Sequence, residues 1–165
     1  MYLNYASINN QKKVEGMVKQ CIRLLKKKEY EMGMDSNSIS FAIDRLIVID
    51  DATKRSCASA GVILINVGNW YRKKGIHPEY KRFEKDPVIG ALKNIHPDQA
   101  LMALVAHEVA HHVQFKYAPK INRSRKNRFV DWQKPHGDTF QTIYRHLRRD
   151  LVNPMINEAS MSEAA

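Results

Sequence analysis

Two histidines and a glutamate lie close together in the apolar stretch over residues 100–117, and their spacing suits metal-assisted hydrolysis. His107 and His111 are four positions apart, so on a helix they project from one face, about 6 Å apart along the axis. Two imidazoles placed in this way can share one Zn²⁺ ion. Glu108 points to the edge of the same face, where its carboxylate could accept a proton from a water molecule. This His-Glu-x-x-His pattern is typical of zinc peptidases.

The surroundings of this pattern predict a buried helix. Its flanking apolar residues occur nearly all round the helix: Leu101, Met102, Leu104, Val105, Val109, Val113 and Phe115. Because ionisable groups inside such a helix are costly unless they are paired or bind a metal, a metal site is favoured over a solvated surface helix. Ala103 and Ala100 lie one and two turns before His107 on its side, and these small residues leave room for a cleft.

The length and composition predict one domain with a polyanionic partner. At 165 residues the chain can bury a core without disulfides, and we expect one domain over residues 1–152 and a disordered tail over residues 153–165. Lys and Arg number 27 against 17 Asp and Glu, a formal net charge of +10, which favours nucleic acid over an anionic membrane as the partner. With two distant cysteines and no run of membrane length, we expect a soluble, reduced, intracellular protein.

The elements before the central helix predict an α+β fold. Apolar residues over residues 11–31 have helical spacing, with Asn10 as the expected cap. The other face of this helix holds six Lys and Arg, which we interpret as a solvated face rather than a dedicated nucleic-acid contact. Residues 38–50 and 56–67 predict about three short strands, with a turn or bulge at Gly61. Since the connections are too short for helical crossovers, we expect a mostly antiparallel sheet.

His136 is the candidate for a third metal ligand, because it lies at the buried start of a second amphipathic helix. The residues alone leave other ligand sets open. An acidic third ligand, Asp138 or Asp131, would suit a repressor-cleaving zincin. A closed site that recruits His112 or His77 would suit a nucleic-acid-binding protein with a structural metal and no hydrolytic activity.

A basic segment connects the two elements that carry the candidate ligands. Its six cations are Lys120, Arg123, Arg125, Lys126, Arg128 and Lys134. We expect this segment to contact a nucleic-acid backbone, with DNA as the expected partner and little sequence preference. Residues 69–85 also mix basic and aromatic side chains, which we interpret as a loop held in place by its aromatic residues.

With His107-Glu108-x-x-His111 followed by His136-Gly137-x-x-Phe140, the sequence resembles the SprT-like, or Spartan-type, metalloprotease family. The upstream Ser-Ala-Gly of residues 59–61, followed by an alternating strand that closes on Asn66, is also similar to that family. The resemblance covers roughly residues 38–150, and it depends on the His-Gly-x-x-Phe element and on the order of the elements.

This resemblance implies a minimal zincin-like fold, with an N-terminal helix, a small sheet, an active-site helix and a C-terminal helix. It implies that His107, His111 and His136 bind one Zn²⁺ ion and that Glu108 is the catalytic base. It also implies proteolysis of proteins that are bound or crosslinked to DNA, a role in DNA repair.

In the expected reaction, Glu108 takes a proton from the attacking water and passes it to the leaving amine. Tyr144 and His112 are candidates for an additional donor to the oxyanion. A packing or surface role is favoured for both, because His112 is displaced by about 100° from His111 around the helix.

Overall fold

The computed structural model describes residues 4–34, 37, 39–68, 83, 85–90, 95–117 and 134–162, the last five by their backbone alone. These residues form four α-helices, a short 3₁₀ helix (Glu29–Met32) and three strands. The α-helices and strands are α1 (Ile8–Lys27), β1 (Arg45–Ile49), β2 (Cys57–Ser59), β3 (Val62–Asn66), α2 (Pro97–Lys116), α3 (Asp138–Leu147) and α4 (Asn153–Ser162). The helices pack with the small sheet, so the α+β fold predicted from the sequence is confirmed.

Helix α1 begins at Ile8 because the chain before it is held by the sheet. The Ala6 N–H donates to the Val48 carbonyl of β1, and Ser7 then caps the helix by accepting from the Asn10 N–H. The cap expected at Asn10 is therefore wrong, since Asn10 lies in the first turn. The buried side of α1 packs against α2, and its residues are Val14, Met17, Val18, Cys21 and Leu25.

The sheet has the order β1-β3-β2, and its central strand pairs in both directions. β2 runs antiparallel to β3, whereas β1 and β3 are parallel over the full length of each strand. The expectation of a mostly antiparallel sheet is wrong for this second pair. Because β2 itself carries the chain back across the sheet, β3 returns beside β1 in the same direction without a helical crossover. Gly61, at φ 93°, forms the turn between β2 and β3 as expected.

Helix α2 lies in the centre of the core. Every residue from 99 to 114 is buried, and α1, α3, β2 and β3 all pack against the helix. His96 caps its N-terminus by accepting from the Asp98 N–H, while Gln99 accepts from the His96 N–H. Pro97 occupies the first helical position, where its fixed φ angle and missing N–H are tolerated. The prediction of a buried helix around the histidine motif is therefore confirmed.

The disordered tail expected over residues 153–165 is wrong for residues 153–162, because α3 continues through a π turn (Arg148–Val152) into α4. Met155 and Ile156 pack against the core, and Gln99 Nε2 donates to the Met155 carbonyl. With the buried Val152 they form an apolar stripe at helical spacing. Pro154, which has no N–H to donate, follows directly after the π turn, at the second residue of α4.

Among the helices of the described residues, none combines the length and the apolar character that a membrane crossing requires.

Candidate metal centre

The three histidines that the sequence singled out as ligands meet at one point. His107 and His111 project from one face of α2, and His136 reaches them from the turn before α3. Nε2 of His136 lies 2.9 Å from Nε2 of His111 and 3.1 Å from Nε2 of His107. Three nitrogens on one tetrahedral zinc ion, at the usual bond length, are about 3.3 Å apart. A small outward movement of the rings therefore lets this group hold a metal ion.

The ring of Phe140 packs against all three imidazole rings. Its fully buried ring lies 5.0 Å from the ring of His107, 4.3 Å from that of His111 and 4.8 Å from that of His136, centroid to centroid. Phe83 is also buried and stacks on Phe140 at a centroid distance of 6.2 Å. Apart from residues 83 and 85, the loop interpreted as held by its aromatic residues, 69–85, lies outside the described residues. The spacing in His-Gly-x-x-Phe thus has a packing role, because one helical turn brings the phenyl ring beneath the histidine that precedes it.

Gln114, which sequence reasoning missed, connects the two elements that carry the histidines. Its Oε1 atom lies 3.2 Å from Nδ1 of His111, and its Nε2 donates to the Lys134 carbonyl at 2.6 Å. When Nδ1 of His111 donates to this oxygen, Nε2 of His111 has no proton and presents its lone pair to a metal. The signal in the sequence was an amide side chain three residues after His111, within a stretch that is otherwise mostly apolar.

The backbone at His136 is held in a conformation that is uncommon for its residue type. Its φ angle is 60°, in the left-handed region, which costs about 1–2 kcal/mol for a side chain with a Cβ. Gln141 Nε2 donates to the His136 carbonyl, and Gln141 Oε1 accepts from Arg145. Arg145 in turn forms an ion pair with Asp86. These contacts, together with the bond from Gln114 to Lys134, keep the turn in the geometry that aims the His136 ring at α2.

Glu108 is buried next to the histidine group. Burial raises the pKa of its carboxyl to about 7, and the nearby charge of His107 opposes this rise. Burial, and then the negative charge of Glu108, also raises the pKa of the Cys57 thiol on β2. The Glu108 carboxyl is therefore close enough to interact electrostatically both with His107 and with Cys57 on the edge strand β2.

Other candidate residues do not join the histidine group. Asp138 is exposed in the first turn of α3. His112 faces the turn between β2 and β3, where the Gly61 N–H donates to its Nδ1 at 3.2 Å, and burial lowers its pKa. Tyr144 is fully buried, with its hydroxyl 3.5 Å from the Ala103 carbonyl. These positions support packing roles for His112 and Tyr144, rather than contact with a substrate.

Several predicted residues lie outside the described part of the chain: His77, Lys120, Arg123, Arg125, Lys126, Arg128 and Asp131. Lys134 is described. Its side chain is exposed, and its carbonyl accepts from Gln114 and from the Gly137 N–H. The last cation of the basic segment is thus two residues from a candidate metal ligand.

No family model, curated protein or solved structure matches this chain. The fold and the site define it as an α+β protein with a group of three histidines that can hold a metal ion and a buried glutamate beside that group.

Proposed function

We propose that this protein is a zinc-dependent endopeptidase of the SprT-like type. The observation that carries the proposal is the convergence of three imidazole nitrogens, from His107, His111 and His136, beside the buried carboxyl of Glu108. Neutral imidazoles suit zinc, and three protein ligands leave one position open, as catalytic zinc sites require.

When bound by His107, His111 and His136, a zinc ion would supply Lewis acidity, which would lower the pKa of a water molecule and polarise a peptide carbonyl. Glu108 accepts the proton of that water at a carboxylate oxygen as the water attacks the carbonyl carbon. It then delivers this proton to the nitrogen of the leaving amine. Burial favours the first of these two proton transfers, because it increases the affinity of the carboxylate for the proton that it takes from the water. Gln114 and Phe140 keep the histidine rings in place.

We propose proteins that are bound to DNA as the substrate class. The net charge of +10 favours a polyanionic partner. The basic segment from Lys120 to Lys134 connects the two elements that carry the histidines, so a nucleic acid bound there would bring its attached proteins close to Glu108. Phosphate contacts of this kind carry little sequence preference.

The test of the chemistry is Glu108→Gln. We expect this variant to fold and to bind metal like the wild type, while cleavage of a DNA-bound protein falls by about 10²–10⁴-fold, because the amide cannot accept the proton. Glu31→Gln, at an exposed position after α1, is the matched control and should cleave normally. Cleavage at the wild-type rate by Glu108→Gln would exclude Glu108 as the base. A wild type that binds zinc but cleaves neither free nor DNA-bound proteins would favour a binding protein with a structural metal.

The test of the substrate class is a fourfold substitution by serine in the basic segment, at Arg123, Arg125, Lys126 and Arg128. We expect the dependence of DNA affinity on salt to become less steep, by up to about one unit of slope for each phosphate that the variant no longer binds. DNA-stimulated proteolysis should fall, whereas cleavage of a short free peptide should stay nearly unchanged. Unchanged DNA affinity and salt dependence would show that this segment does not recruit the substrate.

A further inference from the structure

The exposed side of α1 carries a continuous row of basic side chains. The row consists of Lys12, Lys19, Arg23, Lys26 and Lys27, all of them exposed. Lys12, Lys19 and Arg23 are separated by seven and four residues, which keeps them on one face of the helix. The buried residues of α1 lie on the opposite face. The basic row therefore points away from the core and from α2.

Acidic side chains do little to neutralise this row. Glu15 is the only carboxylate in α1, and it pairs with Lys19. Among the described residues, no carboxylate lies within ion-pair distance of Lys12, Arg23, Lys26 or Lys27. Like charges one turn apart destabilise a helix, and in the free protein only the pairing of Lys19 and the helix dipole at Lys26 and Lys27 offset this cost. An anionic partner would remove that cost.

Gly16 lies inside the row, between Lys12 and Lys19. Its φ angle is not in the left-handed region, and a Cβ added there would have no other atom within 4 Å. Neither the backbone conformation nor the packing of the described residues therefore requires glycine, although glycine in a helix interior is less favourable than alanine. Because Gly16 has no side chain, the surface of α1 is lower there than at its neighbours. The backbone of a ligand can therefore approach the helix closely at this position, between Lys12 and Lys19.

We propose that the basic row of α1 binds the phosphate backbone of a nucleic acid, with Gly16 as the point of closest approach. From Lys12 to Lys27 the helix rises about 22 Å, a length over which one strand of a duplex carries about six phosphates. Five cations thus face a similar number of anions. An anionic membrane fits less well, because the apolar side of α1 is buried in the core, and Ile8 is the one large apolar side chain of this helix that is exposed for insertion into lipid.

This surface is distinct from the metal centre and does not depend on the proposed catalysis. The sequence alone favoured a solvated face. The structure adds the exposure of all five side chains, the shortage of acidic neighbours and the position of Gly16.

The test uses the full chain and a triple variant, Lys12→Gln/Arg23→Gln/Lys26→Gln, with binding to a labelled DNA duplex measured by fluorescence anisotropy over a series of KCl concentrations. The matched control removes the same charge at three exposed cations outside the row: Arg45→Gln/Arg55→Gln/Lys85→Gln. We expect the row variant to lose about tenfold or more in affinity at low salt and up to about three units of salt slope. The control should change little. Equal losses in both variants would mean that net charge alone attracts DNA, and would overturn the proposal.

A second pair of variants tests Gly16 without removing charge. Gly16→Ala and Gly16→Gln should both raise the thermal midpoint, because both residues favour helix. Gly16→Gln should also weaken DNA binding several-fold, while Gly16→Ala stays close to the wild type. Wild-type affinity in Gly16→Gln would refute the close approach at this position.

Co-sedimentation with vesicles of phosphatidylcholine and phosphatidylserine tests the other polyanion. We expect weak binding that the triple substitution in the row does not change. Strong vesicle binding that the row variant loses, together with unchanged DNA affinity, would assign the row to membranes and overturn the proposal.

Discussion

Replacing Gln114 by leucine should weaken metal binding, although Gln114 is not itself a ligand. The substitution removes the acceptor for His111 Nδ1 and the donor to the Lys134 carbonyl, two hydrogen bonds of 3.2 and 2.6 Å at a fully buried position. Loss of such an orienting partner typically lowers metal affinity by about 10–100-fold. That range equals about 1.4–2.7 kcal/mol of binding free energy. The stability of the metal-free protein should fall by about 1–3 kcal/mol as well, because buried polar groups lose a partner.

Gln99→Leu is the matched control for this experiment. Gln99 is buried in the same helix and makes two hydrogen bonds of its own, to the backbone of His96 and of Met155. These bonds lie at the N-terminal end of α2, away from the histidines of the metal centre. Metal affinity is measured by competition with a chromogenic chelator, and stability by urea unfolding of the metal-free protein. We expect both variants to lose stability and only Gln114→Leu to lose metal affinity. Wild-type metal affinity in Gln114→Leu would refute the orienting role.

Gln114→Glu separates the two hydrogen bonds of the side chain. A carboxylate still accepts from His111, but it cannot donate to the Lys134 carbonyl and is repelled by it. If Gln114→Glu binds metal with nearly wild-type affinity, the loss of affinity in Gln114→Leu comes from the missing hydrogen bond to the His111 ring. If Gln114→Glu binds metal as weakly as Gln114→Leu, the loss comes instead from the missing hydrogen bond to the turn that carries His136.

The remaining predictions concern the histidine turn and its supports. His136→Ala should weaken zinc binding as strongly as loss of either helical histidine, whereas Asp138→Ala should keep full affinity in the same competition assay. Phe140→Leu should cost on the order of 1 kcal/mol of stability and broaden the absorption bands of bound Co²⁺, because the three imidazole rings lose their packing contact with the phenyl ring. Although burial opposes it, the guanidinium of Arg145 and two backbone N–H groups hold the pKa of Asp86 below its usual range. The stability that this ion pair contributes should therefore be complete above about pH 4 and lost at lower pH. Because the Arg145 side chain is partly exposed, Asp86→Asn should destabilise by up to about 1 kcal/mol at neutral pH and by less in acid, as urea unfolding would show.

The sequence was most informative where the geometry is local. The spacing of His107 and His111 determines their common face because helical periodicity is rigid, and the apolar residues around them predicted the burial of α2. The position of Gly61 at a turn followed in the same way from the pattern of the strands. His136 could be named as a candidate, but its approach to the other two histidines depends on how α3 packs on α2.

The features that the sequence did not predict depend on contacts between distant residues. The parallel pairing of β1 and β3 arises from the path of the whole sheet. The choice of Ser7 over Asn10 as the cap follows from the pairing of Ala6 with β1, which determines where α1 can begin. Gln114 acquires its role through a carbonyl twenty residues away. By contrast, the stripe of apolar residues that leads into α4 is visible in the sequence, although the small polar residues around it favour a tail.

The left-handed backbone of His136 has a consequence for selection on this protein. Glycine or asparagine would adopt that conformation more easily, so a screen for thermal stability alone, carried out without metal, should enrich those residues at position 136 and discard the ligand. A screen in the presence of zinc should restore histidine, since metal binding offsets the conformational cost. Deep mutational scanning should therefore favour glycine or asparagine at position 136 without metal and histidine with zinc. The residue preferred at this position would show whether metal binding was under selection.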